Sequence, residues 1–310
     1  MRDSRIVPAE ADPPVFPPHV VAEVKALACE LPVRLGLPLS RFSLSELQRH
    51  VLDQGIVAAI SGLTIWRWLH QDAIRPWSQR SWIFPRDPDF REKATRVLDL
   101  YHRVWDGSEL TSDDYVLSAD EKTGLQIRER IHPTEPPGPG RSMRVEHEYR
   151  RHGTCAYLAA WDVHRAKLFG QIADRSTIES FDSLVASVME QEPYRTARRV
   201  FWVVDNGTVH RGDASIKRLQ DRWPNLILVH LPVHASWLNQ VEIYFSVLQR
   251  KALTPDDFST RQAIEERILG FQSHYQKVAT PFEWKFSRQD LDRLLFRCSG
   301  SHPELLAAAA

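Results

Sequence analysis

This chain of 310 residues has few cysteines, no long apolar run and no net charge. Its three cysteines, Cys29, Cys155 and Cys298, lie far apart and form no CxxC pair. This pattern excludes a disulfide framework and a cysteine-rich zinc site, and it is typical of a reducing compartment. No apolar run is long enough to cross a bilayer, and the first residues lack the apolar core of a signal peptide. We therefore expect a cytoplasmic protein without a membrane partner.

Several common catalytic signatures are also missing. The sequence has no Gly-rich phosphate loop, no GxSxG elbow and no convincing Cys–His nucleophile pair. Its 40 basic residues balance 40 acidic ones, so the overall charge does not predict nucleic-acid binding. What remains is a globular composition, 43% hydrophobic and 26% charged, in a chain long enough for one large domain or two ordinary ones.

The first part of the chain is predicted to be helical. Residues 1–18 hold five prolines and should form a disordered lead-in, and residues 19–112 should form a helical DNA-binding region and linker. FSLSELQRHVLDQG and SGLTIWRWLHQ both start with a serine cap and are joined by a short connection, which is typical of a helix-turn-helix. The spacing in the second helix predicts an inward face of Leu63, Trp66 and Leu69 and an outward face of Thr64, Arg67 and Gln71. The alternative is an ordinary pair of packed helices.

The rest of the chain, residues 113–310, alternates between strand and helix patterns. DYVLSAD is an apolar strand that ends at Asp120, and RVFWVVDN is a strand that ends at Asp205. Between them lie the Pro/Gly-rich loop HPTEPPGPGRS, a hairpin formed by TCAYLAAWDV and AKLFGQIAD, and the helix STIESFDSLVASVMEQ with a serine cap. The helix GDASIKRLQDRW, the strand NLILVHLP and a last amphipathic helix follow. This order predicts an α/β fold, a mixed sheet with helices on its faces.

Three acids are expected to meet in this arrangement. Open α/β sheets carry their chemistry at strand ends, where Asp120 and Asp205 lie, and Glu242 follows in the first turns of the last helix. Beside it, the spacing predicts a buried stripe of Leu238, Val241, Phe245 and Leu248. Two carboxylates 4 Å apart repel by roughly 4 kcal/mol at an effective dielectric near 20, so three need protons or cations. Oxygen ligands select Mg²⁺ or Mn²⁺, and two such ions can serve phosphodiester chemistry. Taken singly, each acid also has an ordinary explanation as a turn cap or a helix N-terminus.

The three acidic segments resemble a known family. SADEKTG, VVDNGTVH and HASWLNQVEIYFSVLQRK look like the catalytic motifs of Asp-Asp-Glu (DDE) transposases of the mariner-like superfamily, bacterial insertion-sequence branch. The resemblance extends backward through TIWRWLHQDAIRPW and SWIFPRDPDF, which look like that family's second DNA-binding helix-turn-helix and its linker. It implies a ribonuclease H-like five-stranded mixed sheet with flanking helices, preceded by a small all-α helix-turn-helix domain.

The resemblance also implies a reaction and its partners. Asp120, Asp205 and Glu242 carry over as ligands of two Mg²⁺ (or Mn²⁺) ions. The expected activity is DNA cleavage and strand transfer at the ends of a mobile element, with double-stranded terminal inverted repeats and target DNA as partners. A homodimer associated with the bacterial nucleoid is expected, because two ends must be joined. The Pro/Gly-rich loop, residues 132–142, lies where relatives insert a loop that clamps a partner subunit.

Two other functions remain open at this stage. One is a degenerate transposase that has lost catalysis and acts only as a DNA-binding protein. The presence of all three acids argues against it. The other is a nuclease of the same fold that cuts RNA in hybrids, against which the predicted helix-turn-helix speaks.

Polar residues near the acids are further candidates. Asn206, His210, His234 and Asn239 are expected to support the metal ligands or to contact DNA, with His210 on the surface. A zinc pair of His230 and His234 is disfavoured, because an extended segment with a proline does not place them on one helix face. Trp237 is expected to anchor its helix in the core.

DNA contacts are expected from the helical region. Thr64, Arg67 and Gln71 should read bases, while Arg75 and Arg80 should contact the backbone. Members of the family usually carry two helix-turn-helix units, but the prolines of ELPVRLGLPLSRF leave room for one here. We hypothesise that the first unit is lacking, which predicts weaker and less specific DNA binding.

Overall fold

The computed structural model describes residues 16–79, 85–207, 209–210 and 213–301. The chain divides into two compact units, Met1–Trp82 and Ile83–Ala310. This division differs from the boundary predicted between residues 112 and 113, because the helix that follows residue 89 packs into the second unit. Most of the predicted lead-in, residues 1–15, lies outside the described residues, and a helix begins at Pro18.

The first unit is helical, as predicted. It contains α1 (Pro18–Ala28), a short 3₁₀ turn (Pro32–Leu35), α2 (Leu44–Asp53) and α3 (Gly62–Gln71). α2 begins with a capping box, in which the Ser43 hydroxyl accepts from the Glu46 N–H (3.2 Å) and the Glu46 carboxylate accepts from the Ser43 N–H (2.7 Å). Ser61 caps α3 by accepting from the Thr64 N–H at 3.1 Å. Both predicted serine caps are confirmed.

The predicted inward face of α3 is confirmed at Leu69 and wrong at Leu63 and Trp66. Ile65 and Leu69 are fully buried, whereas Leu63 and Trp66 are exposed, by 56% and 39%. The reason is that the buried side chains follow the i, i+4 spacing of a helix stripe, whereas the prediction spaced three apolar residues at i, i+3 and i+6. Instead of entering the core, the Trp66 ring stacks on that of His70, with centroids 4.7 Å apart.

The second unit combines a sheet with helices. Its helices are α4 (Phe90–Tyr101), α5 (Ile178–Met189), α6 (Asp213–Arg222), α7 (Val241–Lys251), α8 (Arg261–Gln276) and α9 (Arg288–Ser301). Its strands are β1 (Val104–Trp105), β2 (Ser108–Glu109), β3 (Asp114–Arg130), β4 (Tyr149–Asp162), β5 (Lys167–Ala173), β6 (Arg199–Val204) and β7 (Leu226–His230). The predicted serine cap of α5 is wrong by one residue, because the hydroxyl of Thr177 accepts from the Ser180 N–H.

Five strands form one mixed sheet in the order β5-β4-β3-β6-β7. β3 pairs with β4 in antiparallel and with β6 in parallel orientation, and β6 pairs in parallel with β7. This confirms the expected fold class, a ribonuclease H-like five-stranded mixed sheet with flanking helices, preceded by a helical region. The hairpin of β4 and β5 is confirmed as well.

β3 is longer than predicted. It continues for ten residues past Asp120 to Arg130, because it stays paired with β4 as far as Arg130 and Tyr149. The ladder shifts register between Lys122 and Leu125, where Gly124 has φ +67°, and again between Ile127 and Arg128. The Pro/Gly-rich loop predicted over residues 132–142 is confirmed as the connection between β3 and β4.

Apolar side chains alternate between the two faces of the sheet. Val116, Phe201 and Val203 belong to a core formed with α4, α7, α8 and α9, whereas Leu117 and Trp202 belong to a core formed with α5 and α6. The α7 stripe predicted from the sequence, from Leu238 to Leu248, is buried in the first of these cores. Among the described residues, no helix has the length and apolar character that crossing a membrane requires.

Candidate functional site

Asp120 and Asp205 lie next to each other at the α7 face of the sheet. The parallel register of β3 and β6 pairs Ser118 with Val203. Continuing that register by two residues brings Asp120 beside Asp205, which directly follows β6. Since side chains alternate along a strand, both aspartates share the face of Val203, against which α7 packs. Asp120 is thus in the middle of a strand and not at its end, which corrects the prediction, but its neighbour is the predicted one.

A buried hydrogen-bond network joins Asp120 to the start of α7. The Asn239 side-chain amide donates to Asp120 Oδ2 and to the Ala119 carbonyl, both at 3.0 Å. The Ser118 hydroxyl donates to Asn239 Oδ1 and accepts from the Val241 N–H, the latter at 2.9 Å. Asp120 Oδ1 accepts from the Glu121 N–H at 2.8 Å. The network fixes both the Asp120 carboxylate and the first turn of α7, which carries Glu242.

The electrostatics of these acids show that their charges act on one another. Burial raises the pKa of Asp120, the charges of Asp205, Glu242 and Glu121 raise it further, and it reaches about 7 despite the hydrogen bond from the Glu121 N–H. Burial also raises the pKa of Glu242; Lys122 opposes this shift and Asp205 adds to it. Asp205 keeps 41% of its side chain exposed. Negative charge is therefore concentrated where these three carboxylates face one another.

His210 is fully buried, so its expected surface position is wrong. Its Nε2 lies 3.0 Å from Glu121 Oε1 and 3.6 Å from Asp205 Oδ1, in contact with both acids but not aligned as a hydrogen bond. The Phe181 ring packs edge-on against the imidazole at 4.2 Å, and this apolar contact explains why the ring is removed from solvent. His210 thus contacts acids of the site and, being buried, is not placed to reach DNA.

The remaining candidates line the edge of the site. The Asn206 amide donates to the Leu231 carbonyl, and the Gly207 N–H donates to Asp205 Oδ1 at 2.7 Å. His234 is exposed with φ +62° and lines, together with Asp205 and Asn206, a cleft of about 300 Å³. Asn239 is buried in the network described above.

Two further residues settle questions raised by the sequence. His230 Nε2 lies 2.9 Å from the His210 carbonyl oxygen, which gives that histidine a structural partner. Trp237 is 41% exposed and packs edge-on against Phe286, so the expectation that it lies in the core is wrong. Its neighbour Leu238 takes the core position instead.

The helical unit presents most of the expected DNA contacts at its surface. Arg67, Gln71 and Arg75 are exposed, as predicted. Thr64 is half-buried, and its hydroxyl lies 2.9 Å from that of Ser61 at the helix cap. Arg80 lies outside the described residues.

Sequence reasoning missed three residues of the site: Ser118, Glu121 and Lys122. Ser118 could have been found, because it lies two residues before Asp120 and therefore on the same face of the strand. Glu121 and Lys122 follow Asp120 directly, where the strand was thought to end.

The donor set fits divalent cations, although as they stand no three His, Cys, Asp or Glu side chains of the described residues are grouped closely enough to hold an ion. Asp120, Asp205 and Glu242 offer carboxylate oxygens, which hard divalent ions prefer. The raised pKa values of Asp120 and Glu242 reflect burial together with unrelieved repulsion between acids, which a bound cation would relieve.

Comparison with known proteins points to one family for the part of the chain that contains the acids. Residues 115–265 match the family model described as DDE superfamily endonuclease. No curated protein matches the chain. Similar solved structures include the Mos1 mariner paired end complex with Mn, at 12% identity and a TM-score of 0.48, over 88% of this chain and 80% of that one. The catalytic domain of Mos1 mariner transposase is similar at 12% identity and a TM-score of 0.43, over 75% of this chain and 98% of that one.

Proposed function

We propose that the protein is an insertion-sequence transposase, which cleaves DNA at the ends of a mobile element and joins those ends to target DNA. The proposal rests on Asp120 and Asp205, which lie side by side on the sheet face that packs against α7, near enough to Glu242 of α7 for their charges to interact. All three acids lie inside the segment that matches the DDE superfamily endonuclease model. The resemblance to the three transposase motifs assigns the catalytic role to these same acids. We assign the protein to the bacterial cytoplasm, at the nucleoid, where its DNA substrates lie.

In this proposal, the chain's residues divide the work at the site. Asp120, Asp205 and Glu242 would hold two Mg²⁺ or Mn²⁺ ions, which would supply activation of the attacking oxygen and stabilisation of the leaving one. Asn239 and Ser118 orient Asp120 against the start of α7, and His210 supports Asp205 and Glu121 from the interior. Exposed His234 and partly exposed Asn206 border the cleft at Asp205, where a DNA strand can approach.

The helical unit has the proposed role of binding the element ends. Exposed Arg67 and Gln71 on α3, with Thr64 at its start, are assigned to base reading. Arg75, together with Arg80 beyond the described residues, is assigned to the DNA backbone. One of the similar solved structures is a paired end complex of Mos1. For this chain we propose a homodimer because two element ends must be joined. The loop over residues 132–142 is proposed to contact the second subunit.

The test compares cleavage with binding. The wild-type chain, given Mg²⁺ and a duplex that carries the terminal repeat and flanking DNA of its own element, is expected to cut the strand at the repeat. Glu242→Gln, which is nearly isosteric but removes a ligand charge, is expected to bind that duplex with unchanged affinity and to leave it uncut. Cutting by well-folded Glu242→Gln would favour a different nuclease. Binding without cutting by the wild type would favour the degenerate DNA-binding protein.

A further inference from the structure

A groove lies between β3, beyond Asp120, and the C-terminal end of α7. It has a volume of about 350 Å³ and is lined on one side by Lys122, Gly124 and Gln126 of β3 and on the other by Gln249, Leu253 and Thr254 at the end of α7. We call it the Lys122 groove. The register shift between Lys122 and Leu125 opens it, because β3 bends away from regular pairing with β4 there.

The two elements that line the groove, β3 and α7, also carry Asp120 and Glu242. Asp120 and Lys122 lie two residues apart on β3, so both side chains face α7. On α7, Glu242 and Gln249 lie seven residues apart, hence on the same helix face and about 10 Å from each other along the axis. Exposed Ser246 lies between them. A polar path thus runs from the carboxylates into the groove.

Lys122 gives this path its positive charge. Its ammonium group forms no hydrogen bond and no ion pair with any residue that the structure describes, although its charge acts on Glu242. Among the described residues, the carboxylate that lines the groove is that of Asp256, which is already paired with Arg128 at 3.1 Å and with Arg130. Beside this half-buried cation, the Gln126 amide donates to the Gly124 carbonyl and the Gln249 amide donates to the Thr254 hydroxyl, which leaves each amide a second N–H. A cation with such donors beside it is suited to a phosphate group.

We propose that the Lys122 groove binds the backbone of the DNA strand next to the bond that is cut, with Lys122 contacting one phosphate and Gln249 and Gln126 offering hydrogen bonds to the same backbone. This inference rests on the proposed function and adds to it a position for the strand. The positive charge of Lys122 offsets part of the repulsion between the acids and DNA phosphate. One phosphate of the DNA strand can therefore be held by Lys122 while the neighbouring phosphodiester lies at the acids.

The test measures DNA binding without metal ion, so that it does not depend on cleavage. Fluorescence anisotropy in EDTA measures the affinity for a duplex that carries the terminal repeat and its flanking DNA, over a series of salt concentrations. The proteins compared are the wild type, Lys122→Ala and Lys122→Arg. One lost phosphate contact makes the slope of log K against log salt less negative by about 1. We expect that change for Lys122→Ala and a near-normal slope for Lys122→Arg.

Lys167→Ala is the matched control. Lys167 is also a partly buried strand lysine, but it lies over the rings of Phe169 and Tyr194 on the opposite face of the sheet. A wild-type slope is expected for this variant. Equal slopes for wild type and Lys122→Ala, or an equal change for Lys167→Ala, would overturn the proposal.

Neutral methylphosphonate linkages, placed one at a time near the cleavage position, locate the contact. One position is expected to weaken wild-type binding and to leave Lys122→Ala unaffected, and equal weakening of both proteins at every position would also overturn the groove. If the wild type binds with the expected slope but never cuts, the proposed catalytic function fails while the groove stands.

Discussion

At the residue scale, Asp120 departs furthest from the chemistry of a free side chain. Burial and the neighbouring acids raise its pKa from 3.8 to about 7. A group that binds protons more tightly in the folded than in the unfolded protein stabilises the fold at low pH. That contribution is lost as the pH rises from about 4 through 7. Each unit of pKa shift corresponds to about 1.4 kcal/mol, so the metal-free protein gives up a measurable part of its stability.

Thermal unfolding in EDTA tests this. The midpoint of the wild type is expected to fall between about pH 5 and pH 8, and Asp120→Asn should remove most of that fall because the amide carries no charge. Mg²⁺ should restore the wild-type midpoint at the higher pH. Asp221→Asn, at an exposed position of α6, is the control and should follow the wild type. Parallel profiles for wild type and Asp120→Asn would show that Asp120 is not the group responsible.

Asn239 is the residue that transmits the position of β3 to the start of α7. Asn239→Ala removes three side-chain hydrogen bonds, the two donated to Asp120 and to the Ala119 carbonyl and the one accepted from the Ser118 hydroxyl. It is expected to slow cleavage by about 10- to 100-fold, as loss of a partner of a metal ligand does. Because the ligand is misplaced, half-maximal cleavage should also need more Mg²⁺. DNA affinity should not change.

Asn225 provides the comparison for this variant. It likewise donates from its amide to two carbonyls, those of Tyr194 and Ala197, at 3.0 Å each and not to an acid of the site. Asn225→Ala is expected to lower stability to a similar degree and to keep the wild-type Mg²⁺ requirement. If both variants shift that requirement equally, Asn239 has only a structural role.

The site illustrates what sequence could and could not predict at this scale. Asp120, Asp205, Glu242 and Asn239 could be named as candidates because their residue types and motif positions are informative by themselves. Glu121 and Lys122 were not found, because the apolar pattern of the strand stops at Asp120 and the polar residues beyond it look like a loop. The pairing that keeps them in the strand comes from β4, which is distant in sequence.

At the scale of elements, α4 belongs to the second unit. Its apolar face, including Phe90, Val97 and Leu98, is buried in the core beneath the sheet. The same region also holds the connection between β7 and α7, since Tyr101 donates to the Leu238 carbonyl at 2.7 Å and Asp87 accepts from the Val233 N–H at 3.0 Å. The boundary predicted at residue 112 rests on a change from a helix pattern to a strand pattern. The observed division depends instead on which core α4 packs into, and local periodicity carries no information about that packing.

Two fragments distinguish these boundaries. A fragment that begins at residue 83 is expected to unfold in one cooperative transition, whereas one that begins at residue 113 should expose apolar core and show no such transition. Each fully buried Phe, Val or Leu contributes about 1.5–3 kcal/mol, so losing α4 removes an amount comparable with a whole domain's net stability of about 5–15 kcal/mol. Tyr101→Phe in the longer fragment should cost only about 1 kcal/mol. Cooperative unfolding of the shorter fragment would restore the boundary predicted from the sequence.

At the scale of the whole molecule, the overall charge is balanced, but the proposed function gives the two units different roles. The second unit concentrates negative charge at its acids, and phosphate is repelled there unless cations are present. In the proposed function, selection of the element's ends must therefore come from the helical unit. A small helical unit makes few phosphate contacts, so we expect a weak overall affinity, a shallow dependence of that affinity on salt and a modest preference for the element's ends.

Arg67 tests that division. Arg67→Ala in the full-length chain should weaken binding to the terminal repeat by about 1–3 kcal/mol and reduce the preference over scrambled DNA, because a base-reading side chain is lost. Arg75→Ala should weaken both DNAs alike, as expected for a backbone contact. Arg34→Ala is the control within the same unit, since Arg34 is exposed but pairs with Glu30 at 3.2 Å. Titrations at matched salt decide the outcome. Equal losses for Arg67→Ala and Arg34→Ala would remove α3 from base reading, because general loss of positive charge would then explain the whole effect.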